Sequence, residues 1–133
     1  MPYQKSVLIV DDEPIVLEFL DICLTDEGYR VERASNGLEA IKMAETREYH
    51  AIVTDIKMPV MDGIRFYEML KDTYPFLSGR VIFISGYINS EKELFIKSTG
   101  RPLLQKPFSL EALCLALKDL ESITPAFNAY QDY

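Results

Sequence analysis

Val7-Leu8-Ile9-Val10-Asp11-Asp12-Glu13-Pro14 joins an uninterrupted apolar run to three carboxylates and a proline. Four apolar residues without alternation predict a strand buried on both faces, as in a parallel sheet covered by helices. The carboxylates and Pro14 predict a helix start, because acidic groups suit the orphan N–H groups there and proline fits the first turn. Val16, Leu20, Cys23 and Leu24, flanked by Phe19, supply the inward stripe of that helix, and Gly28 ends it.

The same unit recurs along the chain. Arg30 to Ala34 reads as a strand, Asn36-Gly37 as a turn, and the next helix turns Ala40, Ile41 and Ala44 inward. Ala51-Ile52-Val53 is a third strand, followed by a loop through Pro59 and a helix carrying Phe66, Met69 and Leu70. Val81-Ile82-Phe83-Ile84 is a fourth strand. Ser90 and Glu93 have capping-box spacing for a short helix ending near Gly100. Leu103-Leu104-Gln105 is a weak fifth strand, and Ser109 caps a last helix through Leu120. Five such units predict an α/β fold, a doubly wound parallel sheet with helices on both faces and right-handed crossovers.

At 133 residues the chain is expected to form one domain over 1–120 with a C-terminal tail over 121–133. It is 48% hydrophobic and 26% charged, an ordinary globular composition. Fourteen Lys and Arg against twenty-one Asp and Glu give a net charge of −7, which argues against direct nucleic-acid binding. Cys23 and Cys114 have no metal-ligand or disulfide-framework spacing and read as reduced thiols. No apolar stretch approaches the roughly 20 residues of a membrane span, and the short polar N-terminus does not read as a signal peptide. The expectation is a cytoplasmic domain with no membrane partner.

Parallel sheets of this kind hold ligands beyond the carboxyl ends of their strands. Asp11 and Asp12 follow the first strand, Thr54-Asp55 end the third, Ser85-Gly86 the fourth and Lys106-Pro107 the fifth. Three carboxylates brought together raise one another's pKa, and a divalent cation relieves the repulsion. An oxygen-only set favours Mg²⁺ over zinc. Lys106 adds a cation and Ser85 a hydroxyl donor, so the pattern describes a phosphoryl site beside a metal with a carboxylate as nucleophile. His50, the single histidine, has no ligand set around it in sequence. Asp62-Gly63 reads as a turn that starts a helix.

Val10-Asp11-Asp12-Glu13, Thr54-Asp55-Ile56-Lys57-Met58-Pro59-Val60-Met61-Asp62-Gly63, Ile84-Ser85-Gly86 and Lys106-Pro107-Phe108 closely resemble the receiver domain of two-component response regulators. The resemblance spans roughly residues 5–120. It implies a CheY-like sheet of strand order 2-1-3-4-5, with Asp55 accepting a phosphoryl group from a phosphohistidine on a sensor histidine kinase or histidine phosphotransfer domain. It implies Mg²⁺ bound by Asp12, Asp55 and the backbone carbonyl of Lys57, with Asp11 acting through water. Lys106 would pair with the acyl phosphate, Ser85 would swing to bond it, and the Lys106-Pro107 peptide would be cis. Lys57 and Tyr87 would flank the path of hydrolytic water, with Tyr87 expected to exclude it.

The family's aromatic residue three positions before the lysine is Leu103 here, a departure that puts its usual aromatic switch in question. The segment from Ser98 to Phe108 looks more like receivers attached to hybrid sensor kinases. The last helix is apolar nearly all round, so Leu113, Leu117 and Leu120 are expected inward, with Leu115 and Ala116 outward as a partner patch. Such a patch suits a homodimer through the helix after Ser90, the Leu103 strand and the last helix. Three other readings compete. A haloacid-dehalogenase-type phosphatase would carry a second carboxylate two residues after its nucleophile, where Lys57 stands. A flavodoxin-like module would need a phosphate loop in place of Asp11-Asp12-Glu13. A degenerate receiver would keep the fold for protein contacts alone.

Overall fold

The computed structural model describes residues 4–121. Its elements alternate along the chain: β1 Ser6–Val10, α1 Pro14–Asp26, β2 Arg30–Ala34, α2 Gly37–Ala44, β3 Ala51–Asp55, α3 Gly63–Thr73, α4 Pro75–Ser78, β4 Val81–Ser85, α5 Ser90–Thr99, β5 Leu103–Gln105 and α6 Leu110–Glu121. The strands form one parallel sheet in the order β2-β1-β3-β4-β5. This is the doubly wound α/β architecture expected from the continuous apolar runs.

Those runs divide between two cores because strand side chains alternate across the sheet. Leu8, Val10, Ile52 and Phe83 pack with α2, α3 and α5 on one face. Val7, Ile9, Val53, Ile82 and Ile84 pack on the other against Leu17, Leu20 and Leu24 of α1 and Leu113, Ala116, Leu117 and Leu120 of α6. A strand with a core on each side must be apolar at every position.

The helices differ from expectation in detail. The inward stripe of α1 is Leu17, Leu20 and Leu24, spaced three and four apart, while Val16 and Cys23 sit half-buried a helical step of about 100° away. Ala116 is buried against the sheet rather than turned outward, which leaves Leu115 alone exposed on that turn of α6. Tyr67 is buried alongside Phe66 and Leu70, and Met69 packs at the margin. Asn89, not Ser90, caps α5, because Asn89 has the extended backbone of a cap and accepts from Lys92 N at 2.9 Å. The short α4, begun by Pro75, carries no apolar repeat for a sequence pattern to reveal. Ser109 does cap α6, its hydroxyl accepting from Ala112 N at 3.0 Å. Apart from Glu121, the expected tail lies outside the described residues.

Strand register carries the site. Val10 pairs with Ala34 and Thr54, Asp55 with Ile84, and Ser85 with Gln105. The carboxyl ends of β1, β3, β4 and β5 are therefore level, and the residues that end or follow them meet on one edge. Lys106 N donates to Ser85 O at 2.7 Å, extending this alignment past the end of β5.

Candidate functional site

Asp11, Asp12 and Asp55 each present a carboxylate oxygen within 4.8 Å of the others. Asp11 is wholly buried and Asp55 nearly so, whereas Asp12 is open to solvent. Lys106 Nζ lies 3.0 Å from Asp11 Oδ2 and 3.4 Å from Asp55 Oδ2, bridging the two buried carboxylates. Asp11 Oδ1 also accepts from Glu13 N at 2.9 Å, and Asp55 Oδ1 from Ile56 N at 2.8 Å. Both buried side chains are thus fixed by backbone donors and share one ammonium.

Burial pushes the Asp55 carboxyl above its ordinary pKa, and the Asp11 charge adds to that; Lys106 and the Ile56 N–H only partly offset them. For Lys106, burial alone would lower the pKa, but the hydrogen bond and charge of Asp11, joined by Asp55, outweigh it and hold the ammonium above its usual range. The cluster carries more negative charge than one lysine neutralises. Its donors are all carboxylate oxygens, so the set suits a hard divalent cation such as Mg²⁺.

The other expected residues stand nearby in different states. Ser85 is buried at the end of β4, with Oγ 3.5 Å from Tyr87 O. Lys57 is exposed between buried Ile56 and Met58. The Lys106-Pro107 peptide is cis. Leu103 is half-buried beside a cleft of about 180 Å³ lined also by Ser85, Tyr87, Ile88, Glu93 and Gln105.

Two residues do more than the sequence reading gave them. Gly63 opens α3 directly against the end of β3: a Cβ there would lie 2.1 Å from Asp55 O, and Gly63 N donates to Ile56 O at 2.8 Å. Only glycine allows that approach. Asp62, the N-cap, accepts from Arg65 N at 2.8 Å and fixes the helix start. Glu13 is the second: its Oε1 lies 3.4 Å from Lys106 Nζ, a third carboxylate on the same ammonium. Its position beside Asp12 was a signal, but nothing local pointed to a residue 93 positions away.

A family model described as "Response regulator receiver domain" matches residues 7–118. The chain belongs to that family. Among its relatives, the receiver domain is 33% identical over 118 residues to the sensor kinase CckA of Brucella abortus, covering 86% of this chain and 12% of CckA. Other curated relatives are also longer, the chain spanning 49% of one response regulator, MprA of Mycobacterium ulcerans. Among solved structures, chemotaxis response regulator CheY4 of Vibrio cholerae superimposes with a TM-score of 0.78 at 29% identity, over 89% of this chain and 99% of that one. TrrA of Thermotoga maritima, solved in complex with Mg²⁺-BeF, gives 0.78 at 29% identity over 88% and 99%.

The receiver domain is accordingly a signalling module of two-component systems, a family whose general role is to accept phosphoryl groups from histidine kinases or phosphotransfer proteins. Among the described residues, no helix is long and apolar enough to cross a membrane.

Proposed function

We propose that Asp55 is the phosphoacceptor of a Mg²⁺-dependent transfer from a phosphohistidine on a sensor histidine kinase or histidine phosphotransfer domain. The observation that carries the reading is the Lys106 ammonium bridging Asp55 and Asp11 within the three-carboxylate cluster. A carboxylate oxygen of Asp55 forms the new bond to phosphorus while the donor's N–P bond breaks and its electron pair stays on the imidazole. Asp12, Asp55 and the Lys57 carbonyl would hold Mg²⁺, with Asp11 acting through water. Bound there, the cation supplies charge neutralisation for the phosphoryl oxygens. Lys106 pairs with the phosphoryl group, and Ser85, exchanging its contact with the Tyr87 carbonyl for a phosphoryl oxygen, moves the loop after β4.

The same residues set the lifetime of the acyl phosphate. Neither Lys57 nor Tyr87 orients water well, and the exposed Tyr87 ring beside Ser85 is suited to exclude it. A donor protein must reach this edge, and α1 rises directly from it. Ile15, Phe19 and Ile22 form an outward apolar stripe at spacings of four and three, 84%, 49% and 61% exposed. Such a stripe suits docking of a donor helix. Leu94 of α5 and Leu115 of α6 are exposed on the elements flanking β5 and suit self-association through that face.

The test is incubation with acetyl phosphate, with and without Mg²⁺, read by intact mass. Wild type gains one phosphoryl group only with Mg²⁺, and Asp55→Ala gains none. Equal incorporation by both proteins overturns the assignment.

A further inference from the structure

We infer that Glu13 is a positioning residue for this transfer, holding one N–H of Lys106 until a phosphoryl oxygen takes its place. The inference rests on the Asp55 reading. An ammonium offers three donors and no acceptor. Three carboxylate oxygens lie around Lys106 Nζ: Asp11 Oδ2 at 3.0 Å, Asp55 Oδ2 at 3.4 Å and Glu13 Oε1 at 3.4 Å. They match its three donors. A phosphoryl oxygen arriving beside Asp55 must displace one of them.

The three are not equally displaceable. Asp11 has 0% side-chain exposure, and taking its cation away leaves a buried charge with one fewer partner. Asp55 is the reacting group itself. The Glu13 side chain is 63% exposed, so water takes over its oxygens at little cost. Exchange falls on Glu13.

Backbone position sharpens the point. Glu13 is the N-cap of α1, and its carbonyl accepts from Val16 N and Leu17 N at 3.1 Å each. Ser, Thr, Asp and Asn at that position turn back onto the helix N–H groups, and glutamate is not among them. The Glu13 carboxylate makes no such bond among the described residues and reaches Lys106 instead.

In the transfer, the donor N–P bond breaks, the Asp55 O–P bond forms, and the Lys106–Glu13 contact becomes a Lys106–phosphoryl contact. Glu13 remains a carboxylate and turns to solvent, and no proton moves between these groups. Hydrolysis of the acyl phosphate returns Lys106 to Glu13.

Beryllium fluoride, as a phosphoryl mimic, tests the exchange by calorimetric titration of the full chain at saturating Mg²⁺. Glu13→Gln removes the competing charge and tightens binding about threefold, the scale of one exposed ion pair. Glu13→Asp keeps the charge on an arm one methylene shorter that no longer spans to Lys106, and it tightens binding equally. A Glu13→Gln affinity equal to or weaker than wild type overturns the inference. So does a Glu13→Asp affinity equal to wild type, which marks a general field effect. Wild type that does not bind the mimic overturns the Asp55 reading and this inference together, so the two failures are distinguishable.

Discussion

Gly63 lacks a side chain because α3 begins against the Asp55 carbonyl, where a Cβ would sit 2.1 Å from the oxygen. Gly63→Ala therefore forces the start of α3 or the end of β3 to move. We predict a loss of about 1–3 kcal/mol in urea denaturation, the usual scale of overpacking, together with slower labelling by acetyl phosphate. Asp55 makes the opposite prediction. Burial, then the Asp11 charge, raise its pKa in the fold, so the folded chain holds that proton more tightly than the unfolded chain. The penalty is absent below the unfolded pKa and complete above the folded one, so wild-type stability falls as pH rises through that window. Asp55→Asn removes the charge. Without divalent cations it should be more stable than wild type near neutral pH by about 0.5–2 kcal/mol, as when a functional site is relieved of its conflict. Thermal melts across the carboxylate range should show that advantage shrinking as pH falls. At this scale the sequence indicated which side chains gather at the candidate site but not what each touches. Asp62-Gly63 read as a turn and Glu13 as part of a helix start, because both contacts depend on chain that is local neither in sequence nor in period.

At the scale of elements, legibility followed burial. β1, β3 and β4 each lie between two cores and announced themselves as unbroken apolar runs, which is why their ends located the candidate site. The helix α1 was harder. Leu17, Leu20 and Leu24 face the sheet while Ile15, Phe19 and Ile22 face water, so apolar residues surround much of the helix and blur its period. Of the outward three, the sequence reading singled out only Phe19, and as a flank of the core. For α6 it had the inward leucines right but turned Ala116 outward, since an alanine is small enough to fit on either side of the boundary. If α1 is where a donor protein docks, Phe19→Glu separates docking from chemistry. We expect labelling by a phosphorylated histidine kinase active on the wild type to fall at least tenfold, a loss of about 1.4 kcal/mol or more in transition-state binding. Labelling by acetyl phosphate should be unchanged. Equal losses with both donors would place Phe19 in the fold rather than at the docking surface.

Across the whole molecule, the acidic edge belongs to no single segment. Asp11 follows β1 at the start of the first crossover, Asp55 closes the central strand, and Lys106 arrives from the far edge of the sheet, 95 residues after Asp11 in the chain. Strand order and level register bring them together, and these were legible only through the family resemblance, since apolar runs alone do not say which strand lies beside which. That dependence on the last strand has a consequence for an incomplete chain. A chain that ends before β5 carries Asp11, Asp12 and Asp55 but not the ammonium that bridges two of them. Completing the sheet and completing the charged edge are thus the same event, because the one lysine that joins the two buried carboxylates stands beyond the last strand.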